Sequence, residues 1–156
     1  MPRQAPWQYG AADPVITKAV PTATVIQPGD LVATLASGGN PYPASAETWS
    51  SDLATTQTNF STRFLGVSQE LSRNGDVAPI RVNTAGVHEF TCAAATFELG
   101  DLVGPAKDTG NALLSDTVVA VASEALAIGR VAKRYGSNTT KVLVKINTTV
   151  MQGPTA

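Results

Sequence analysis

The stretch ELGDLV, residues 98–103, contains a tetrapeptide, GDLV, that also occurs at residues 29–32. Each copy is followed by an aliphatic residue and a glycine, at 65–66 and at 128–129, and then by a further strand pattern. One turn and one strand start are therefore used twice in a single small chain.

The spacing after the two glycines is also the same. Gly66 lies fourteen residues before Ile80, and Gly129 lies fourteen residues before Leu143. This matched order predicts an internal pseudo-repeat, in which two similar β-units close on one core.

Each GDLV copy begins with a glycine that suits a turn, and its aspartate, Asp30 or Asp101, is expected to hydrogen-bond the bend. Short strands at regular spacing with glycine-rich turns indicate an all-β fold, either a small β-barrel or a sandwich. One short helix is predicted near 51–60, with Ser50 or Ser51 as its N-cap.

Local patterns predict the other strands. The stretch FLGVSQEL, 64–71, is a strand pattern, and Asn74-Gly75 is a strong hairpin signal. A break at Ala85-Gly86 separates two further strand patterns. Residues 141–146 alternate valine and isoleucine with lysine and leucine, which is typical of a half-buried strand.

The proline-rich start of the chain predicts an extended N-terminal arm over residues 1–24 that lies outside the core. Trp7 and Tyr9 are its only large anchors. Residues 25–150 then form the β-rich domain, and residues 151–156 form a C-terminal tail.

The charge is low and unevenly distributed. Charged residues make up 15% of the chain and the net charge is −1, which argues against nucleic-acid binding. Residues 25–124 carry eleven acidic and four basic residues, whereas 125–156 carry five basic residues and no acidic one. That basic segment is either a solvated strand face or a contact with an acidic partner or neighbouring subunit. Its members are Arg130, Lys133, Arg134, Lys141 and Lys145.

No catalytic residue, cofactor site or metal site is predicted, so we expect a protein that is not an enzyme. His88 is the only histidine and is assigned to a strand surface or an interface, and Cys92, the only cysteine, to a buried apolar position. Asp108-Thr109-Gly110 spells the triplet of aspartic proteases, but Lys107 would keep Asp108 ionised, so a surface hairpin turn is predicted. Neither a membrane span nor an export signal is indicated.

Beyond the repeat, the chain resembles a family of tailed-phage capsid decoration, or cement, proteins. The resemblance runs from about Val25 to Val150 and contains no catalytic motif. The segments that carry it include IQPGDLV (26–32), TTQTNFSTRFLGV (55–67), FELGDLVGPAKDTGNAL (97–113) and IGRVAKRY (128–135).

The resemblance implies a virion protein that binds the outer surface of an assembled head after synthesis in the bacterial cytoplasm. Its expected partner is the major capsid protein, and it is expected to form a trimer or, alternatively, a dimer. No direct contact with nucleic acid or membrane is implied. The expected capsid contacts lie in the arm, at Pro2, Arg3, Pro6, Trp7 and Tyr9.

An alternative function is a sugar- or host-surface-binding module displayed on the particle. Small β-barrels often bind such ligands through aromatic side chains. The candidates are Tyr42, Trp49 and Tyr135, each of which also suits packing.

Overall fold

The structure is a computed structural model that describes residues 7–36 and 39–150. These residues form eleven strands and one α-helix, with short 3-10 turns at Ala44–Ala46 and Glu124–Leu126. In chain order the elements are β1 (Trp7–Tyr9), β2 (Pro14–Ile16), β3 (Leu31–Thr34), β4 (Pro41–Pro43), α1 (Leu53–Ser61), β5 (Phe64–Ser68), β6 (Arg81–Asn83), β7 (Val87–Phe97), β8 (Leu102–Lys107), β9 (Leu113–Ala120), β10 (Gly129–Val131) and β11 (Tyr135–Ile146).

The strands form two units with the same topology. The first is a five-stranded sheet in the order β2-β6-β5-β3-β4, and the second contains the order β7-β11-β10-β8-β9. In both units the first strand pairs with the last, and the GDLV strand pairs with the strand that follows it. The predicted pseudo-repeat is confirmed at the level of strand order.

Only the second unit closes on itself within the described chain. Strand β7 pairs in parallel with β9, with Thr91 opposite Thr117, and this pairing completes a five-stranded barrel. The first unit remains a separate sheet. The all-β prediction is thus confirmed, and the barrel and the sheet occur side by side.

Residue pairing confirms the repeat in detail. Val32 lies opposite Gly66 in the first unit, and Val103 lies opposite Gly129 in the second. A side chain at either glycine would collide with the backbone of the next strand, at Asn83 or at Lys145. Both units therefore need a glycine at this crossing.

The equivalence shifts by one residue after the glycine. Ser68 pairs with Val82 in the first unit, and Val131 pairs with Val144 in the second. The matched glycine spacing predicts that Ile80 corresponds to Leu143, but in the structure Val82 corresponds to Val144. The predicted alignment of these strands is therefore wrong by one residue. The connections between the paired strands differ in length, which the matched glycine spacing does not show.

The main apolar core is shared between the two units. It contains Leu31, Phe60 and Phe64 from the first unit together with Phe90 and residues of the barrel interior. A smaller cluster lies on the other face of the first sheet; its buried members are Val20, Ile26, Val32, Leu65, Ile80 and Val82. The first sheet is therefore covered on both faces.

The helix and the turns largely follow the sequence predictions. Helix α1 is present, but its N-cap is Asp52, whose carboxylate accepts a hydrogen bond from the Thr55 N–H at 2.7 Å. The predicted caps, Ser50 and Ser51, are thus wrong, because the chain enters the helix one residue later. Gly75 has a positive φ in the turn predicted at Asn74-Gly75.

The start of the chain is extended and mostly exposed over residues 7–24, but it is paired with both sheets and reaches the core at Val20. Strand β1 pairs with β7, β2 pairs with β6, and Val20 is buried in the smaller cluster. The prediction that the extended arm lies outside the core is wrong at Val20 and at the partly buried Val15, which supply apolar contacts to the first sheet. Pro14 is tolerated at the start of an edge strand, where its missing N–H costs little. Residues 1–6 and 151–156 lie outside the described residues.

Candidate contact surface

A groove of ≈560 Å³ lies beside the N-terminal strand, where β1 meets the outer face of the barrel sheet. Its walls include Tyr9 and Leu99, whose exposed fractions are 50% and 71%. Arg130 and Lys145 also line it. The groove thus combines exposed apolar surface with two cations, and we define these four residues as the contact groove.

Strand register brings these residues together. Tyr9 lies opposite Val87, Val87 lies opposite Lys145, and Lys145 lies opposite Arg130. Leu102 on β8 continues the row opposite Arg130. Residues directly opposite each other share one face of a sheet, so the row crosses five strands on the outer side of the barrel.

A second groove of ≈380 Å³ adjoins the first and also contains Arg130 and Lys145. Leu102 and Glu124 also line it. The two cations thus stand between two depressions in the surface.

The two cations differ in their surroundings. The guanidinium of Arg130 donates to Glu124 at 2.5 Å and to the carbonyl oxygen of Gly100 at 3.0 Å, which fixes its position. Lys145 is exposed, and no carboxylate among residues 7–36 and 39–150 lies within salt-bridge distance of its ammonium group. One charge in the contact groove is therefore held and the other is unpaired.

The remaining basic residues near the C-terminus have local partners. Arg134 pairs with Glu98 at 2.8 Å, and Lys141 lies 3.8 Å from Glu89. The Lys133 ammonium stands over the ring of Tyr135 at 5.5 Å. All three side chains are exposed, but only Lys141 lies on a strand, whereas Lys133 and Arg134 lie in the turn between β10 and β11. The interpretation as a solvated strand face therefore fits Lys141 alone of these three.

The predicted contacts of the N-terminal segment are only partly described. Pro2, Arg3 and Pro6 lie outside the described residues. Trp7 is 46% exposed, and its indole N–H donates to the carbonyl oxygen of Gly10 at 2.9 Å. Trp7 lines a third groove, of ≈450 Å³, with Gln69 and Asn83 among its other walls. Trp7 and Tyr9 are thus both accessible, although they line different depressions.

The three aromatic candidates for sugar binding do not form one site. Tyr42 is buried; its hydroxyl donates to Glu47 at 2.5 Å, and its ring packs edge-on against Phe60. Tyr42 and the half-buried Trp49 line one groove of ≈230 Å³. Tyr135 instead packs against Phe97 on the second unit.

His88 is fully buried, so its assignment to a strand surface or an interface is wrong. On β7 it faces the same side as Phe90 and Cys92, which is the barrel interior. Its Nε2 lies 3.1 Å from the carbonyl oxygen of Ala85, and its Nδ1 has no hydrogen-bond partner among the described residues. Burial lowers the pKa of the imidazole, and the bond to Ala85 offsets this only in part. The neutral ring is therefore the favoured form.

Cys92 and the DTG triplet lie where the sequence predicts them. Cys92 is buried, and burial raises the pKa of its thiol. Asp108 begins the hairpin between β8 and β9, and its carboxylate accepts from the Gly110 N–H at 2.7 Å. The described residues contain no cluster of three histidine, cysteine or acidic side chains that could hold a metal ion. No helix in the described ranges is long and apolar enough to cross a membrane.

Sequence patterns missed two members of the contact groove. Leu99 precedes the Gly100 turn and was not singled out, although a leucine at an exposed turn is a signal in itself. Lys145 was one of five basic residues, and only the strand register shows that it lies opposite Arg130.

Neither family models, nor curated proteins, nor solved structures gave a match to this chain.

Proposed function

We propose that this chain is a structural virion protein that binds the outer surface of an assembled phage capsid and stabilises contacts between neighbouring major capsid subunits. The resemblance of its sequence to capsid decoration proteins supports this function. The observation that carries it in the structure is the contact groove, where Tyr9 from the N-terminal segment meets Arg130 and Lys145 from the basic segment.

One residue proposed for contact in the N-terminal segment, Tyr9, thus shares a groove with two residues of the basic segment, Arg130 and Lys145. Exposed aromatic side chains supply large contact areas at low entropic cost, and a Tyr or Trp anchor buried in an interface typically contributes ~2 kcal/mol or more. A bound copy that touches two capsid subunits raises the work needed to separate them. Several copies joined as a trimer or a dimer would act together through their effective concentration.

Co-sedimentation tests the proposal. The chain is co-expressed with the major capsid protein encoded in the same genome, and assembled particles are isolated on a density gradient. We expect the chain to travel with the particles at a fixed ratio to the capsid protein. Recovery of the chain only in the soluble fraction would count against the proposal.

Point substitutions are better than truncation for locating the contact. Deleting residues 1–14 would remove Ala12, whose carbonyl oxygen accepts from the N–H groups of Thr84 and Ala85 at 3.0 Å each. Tyr9→Ala removes an exposed ring without touching these bonds and should reduce the amount of chain on particles. Trp49→Ala is a matched aromatic control outside the contact groove and should leave decoration unchanged.

A sugar- or host-surface-binding module is the second candidate. The observation that favours it is the groove in which Trp49 lies near the polar side chains of Asn59 and Arg63. A glycan array probed with the purified chain tests it. Binding that is lost in Trp49→Ala and kept in Tyr9→Ala would support this function.

A further inference from the structure

We infer that the contact groove receives a protein segment that presents a carboxylate beside an apolar side chain. This inference rests on the proposed function and names the chemistry of the capsid segment that this surface recognises. The walls of the groove include Tyr9, Leu99, Arg130 and Lys145, and Asp13 is the acidic residue that lines it as well.

The electrostatics of the groove favour an acidic occupant. Arg130 and Lys145 are directly opposite each other on neighbouring antiparallel strands. Like charges at such positions repel and destabilise the pair. Glu124 compensates Arg130, whereas Lys145 forms no salt bridge within the described residues, although Asp13 and Glu124 line the adjoining grooves. A carboxylate from a partner would lie between the two cations and remove this repulsion.

Comparison of the two repeated units shows that this face is covered in one unit only. Leu31 lies opposite Val67 in the first unit, and this pair is equivalent to Leu102 and Arg130 in the second unit. Leu31 and Val67 are both fully buried in the core shared by the units. The sheet face that carries Leu31 and Val67 is therefore covered in the first unit. The equivalent face of the second unit, which carries Arg130, is exposed to solvent.

The open face retains apolar surface along with its charges. Leu99 is 71% exposed and Tyr9 is 50% exposed, and they line the same groove as the two cations. Exposed apolar side chains that line one groove supply surface that a partner can cover. An occupant must therefore satisfy a positive charge and cover apolar walls at once.

This combination favours a protein segment over nucleic acid. A phosphate backbone is uniformly charged and would leave Tyr9 and Leu99 uncovered. The chain as a whole has a net charge of −1, and residues 25–124 carry seven more acidic than basic residues, which would repel a polyanion. A short acidic and apolar segment has neither disadvantage.

The test uses the full chain and charge variants of matched position. Lys145→Glu reverses the unpaired charge, and Lys141→Glu makes the same change on the same strand but outside the groove. Binding to particles of the major capsid protein is measured at about 50 and about 500 mM salt, where screening lengths differ several-fold. We expect Lys145→Glu to weaken binding about tenfold or more at low salt and Lys141→Glu to change it less than about twofold. Equal losses for the two variants would overturn the inference.

A second measurement separates this inference from the proposed function. The ¹⁵N-labelled chain is titrated with the peptides acetyl-Leu-Glu-Leu-amide and acetyl-Leu-Gln-Leu-amide. We expect shifts at Tyr9, Leu99 and Lys145 with the Glu peptide and much smaller shifts with the Gln peptide. If these shifts occur but the chain does not bind particles, the capsid function is wrong and the inference stands.

Three results would overturn the inference even when the chain binds particles. One is a response to both peptides alike. Another is a larger response to a short oligodeoxynucleotide at the same residues, which would assign the groove to phosphate. The third is a set of shifts at the groove on dilution of the chain alone, which would assign it to a second copy.

Discussion

Asp30 and Asp101 make the same hydrogen bond in the two halves of the molecule. The carboxylate of Asp30 accepts from the Gln27 N–H, and that of Asp101 accepts from the Glu98 N–H, both at 2.8 Å. Gly29 and Gly100 precede them with φ values of 92° and 89°. The turn is thus repeated atom for atom, while its surroundings differ, since Asp30 is buried and Asp101 is exposed.

This difference predicts unequal effects of the same substitution. Asp30→Ala removes a buried carboxylate and leaves the partly buried Gln27 N–H without this partner, and we expect a loss of about 2 kcal/mol in the free energy of unfolding. Asp101→Ala leaves an N–H that water can reach, and we expect about 0.5 kcal/mol. Urea denaturation of the two variants measures both values. Equal losses would mean that burial does not distinguish the two turns.

The two glycine positions of the second unit predict another contrast. A side chain at Gly100 meets no heavy atom within 4 Å, so Gly100→Ala costs only the strain of a positive φ, about 1 kcal/mol. A side chain at Gly129 meets the carbonyl oxygen of Lys145 and the side chain of Val144, so strands must move apart. We expect Gly129→Ala to cost about 3 kcal/mol in thermal or urea unfolding. A smaller loss for Gly129→Ala than for Gly100→Ala would contradict this packing.

The buried imidazole predicts a pH dependence of stability. In the unfolded chain His88 titrates near pH 6.5, and in the folded protein burial lowers its pKa. The unfolded state therefore binds a proton that the folded state rejects, so the free energy of unfolding falls as the pH decreases below about 6.5. The urea midpoint should therefore be lower at about pH 5 than at about pH 7.

The control is His88→Leu, which removes the only histidine of the chain. Its urea midpoint should vary much less over the same pH range, whatever its absolute stability. Parallel pH profiles for the wild type and His88→Leu would show that another group is responsible.

The N-terminus of α1 offers a test of which residue caps it. Asp52→Ala removes the acceptor of the Thr55 N–H and should lower the melting temperature. Ser51→Ala removes only a long 3.5 Å contact with the Thr55 hydroxyl and should leave the melting temperature unchanged. The hydrogen bonds from Thr55 also lower the pKa of Asp52, so the effect of Asp52→Ala should shrink as the solution becomes acidic enough to protonate the carboxylate.

Features fixed by neighbours in the chain were predictable from the sequence. The turns at Gly29 and Gly100 need a positive φ and an aspartate that closes them, and both requirements are visible in the tetrapeptide. The alternation over residues 141–146 likewise matches the structure, with Val142 and Val144 buried and Lys141 and Lys145 exposed. Local chemistry determines these features almost completely.

Features that depend on distant pairing were not predictable. His88 is buried because the barrel closes around β7, and nothing near it in the sequence shows this. Residues 7–24 add two edge strands to sheets formed by later residues, and their prolines made strand pairing unexpected from the sequence. The contact groove also depends on the register among β1, β7, β11 and β10, and such register is not visible in a single sequence.

In each unit the first and last strands are neighbours, β2 beside β6 and β7 beside β11. The polypeptide consequently leaves each unit near the place where it entered. Only Thr84, Ala85 and Gly86 separate the end of β6 from the start of β7. Such a layout makes tandem duplication of the underlying gene segment geometrically simple, because a second copy can be joined by a linker of a few residues.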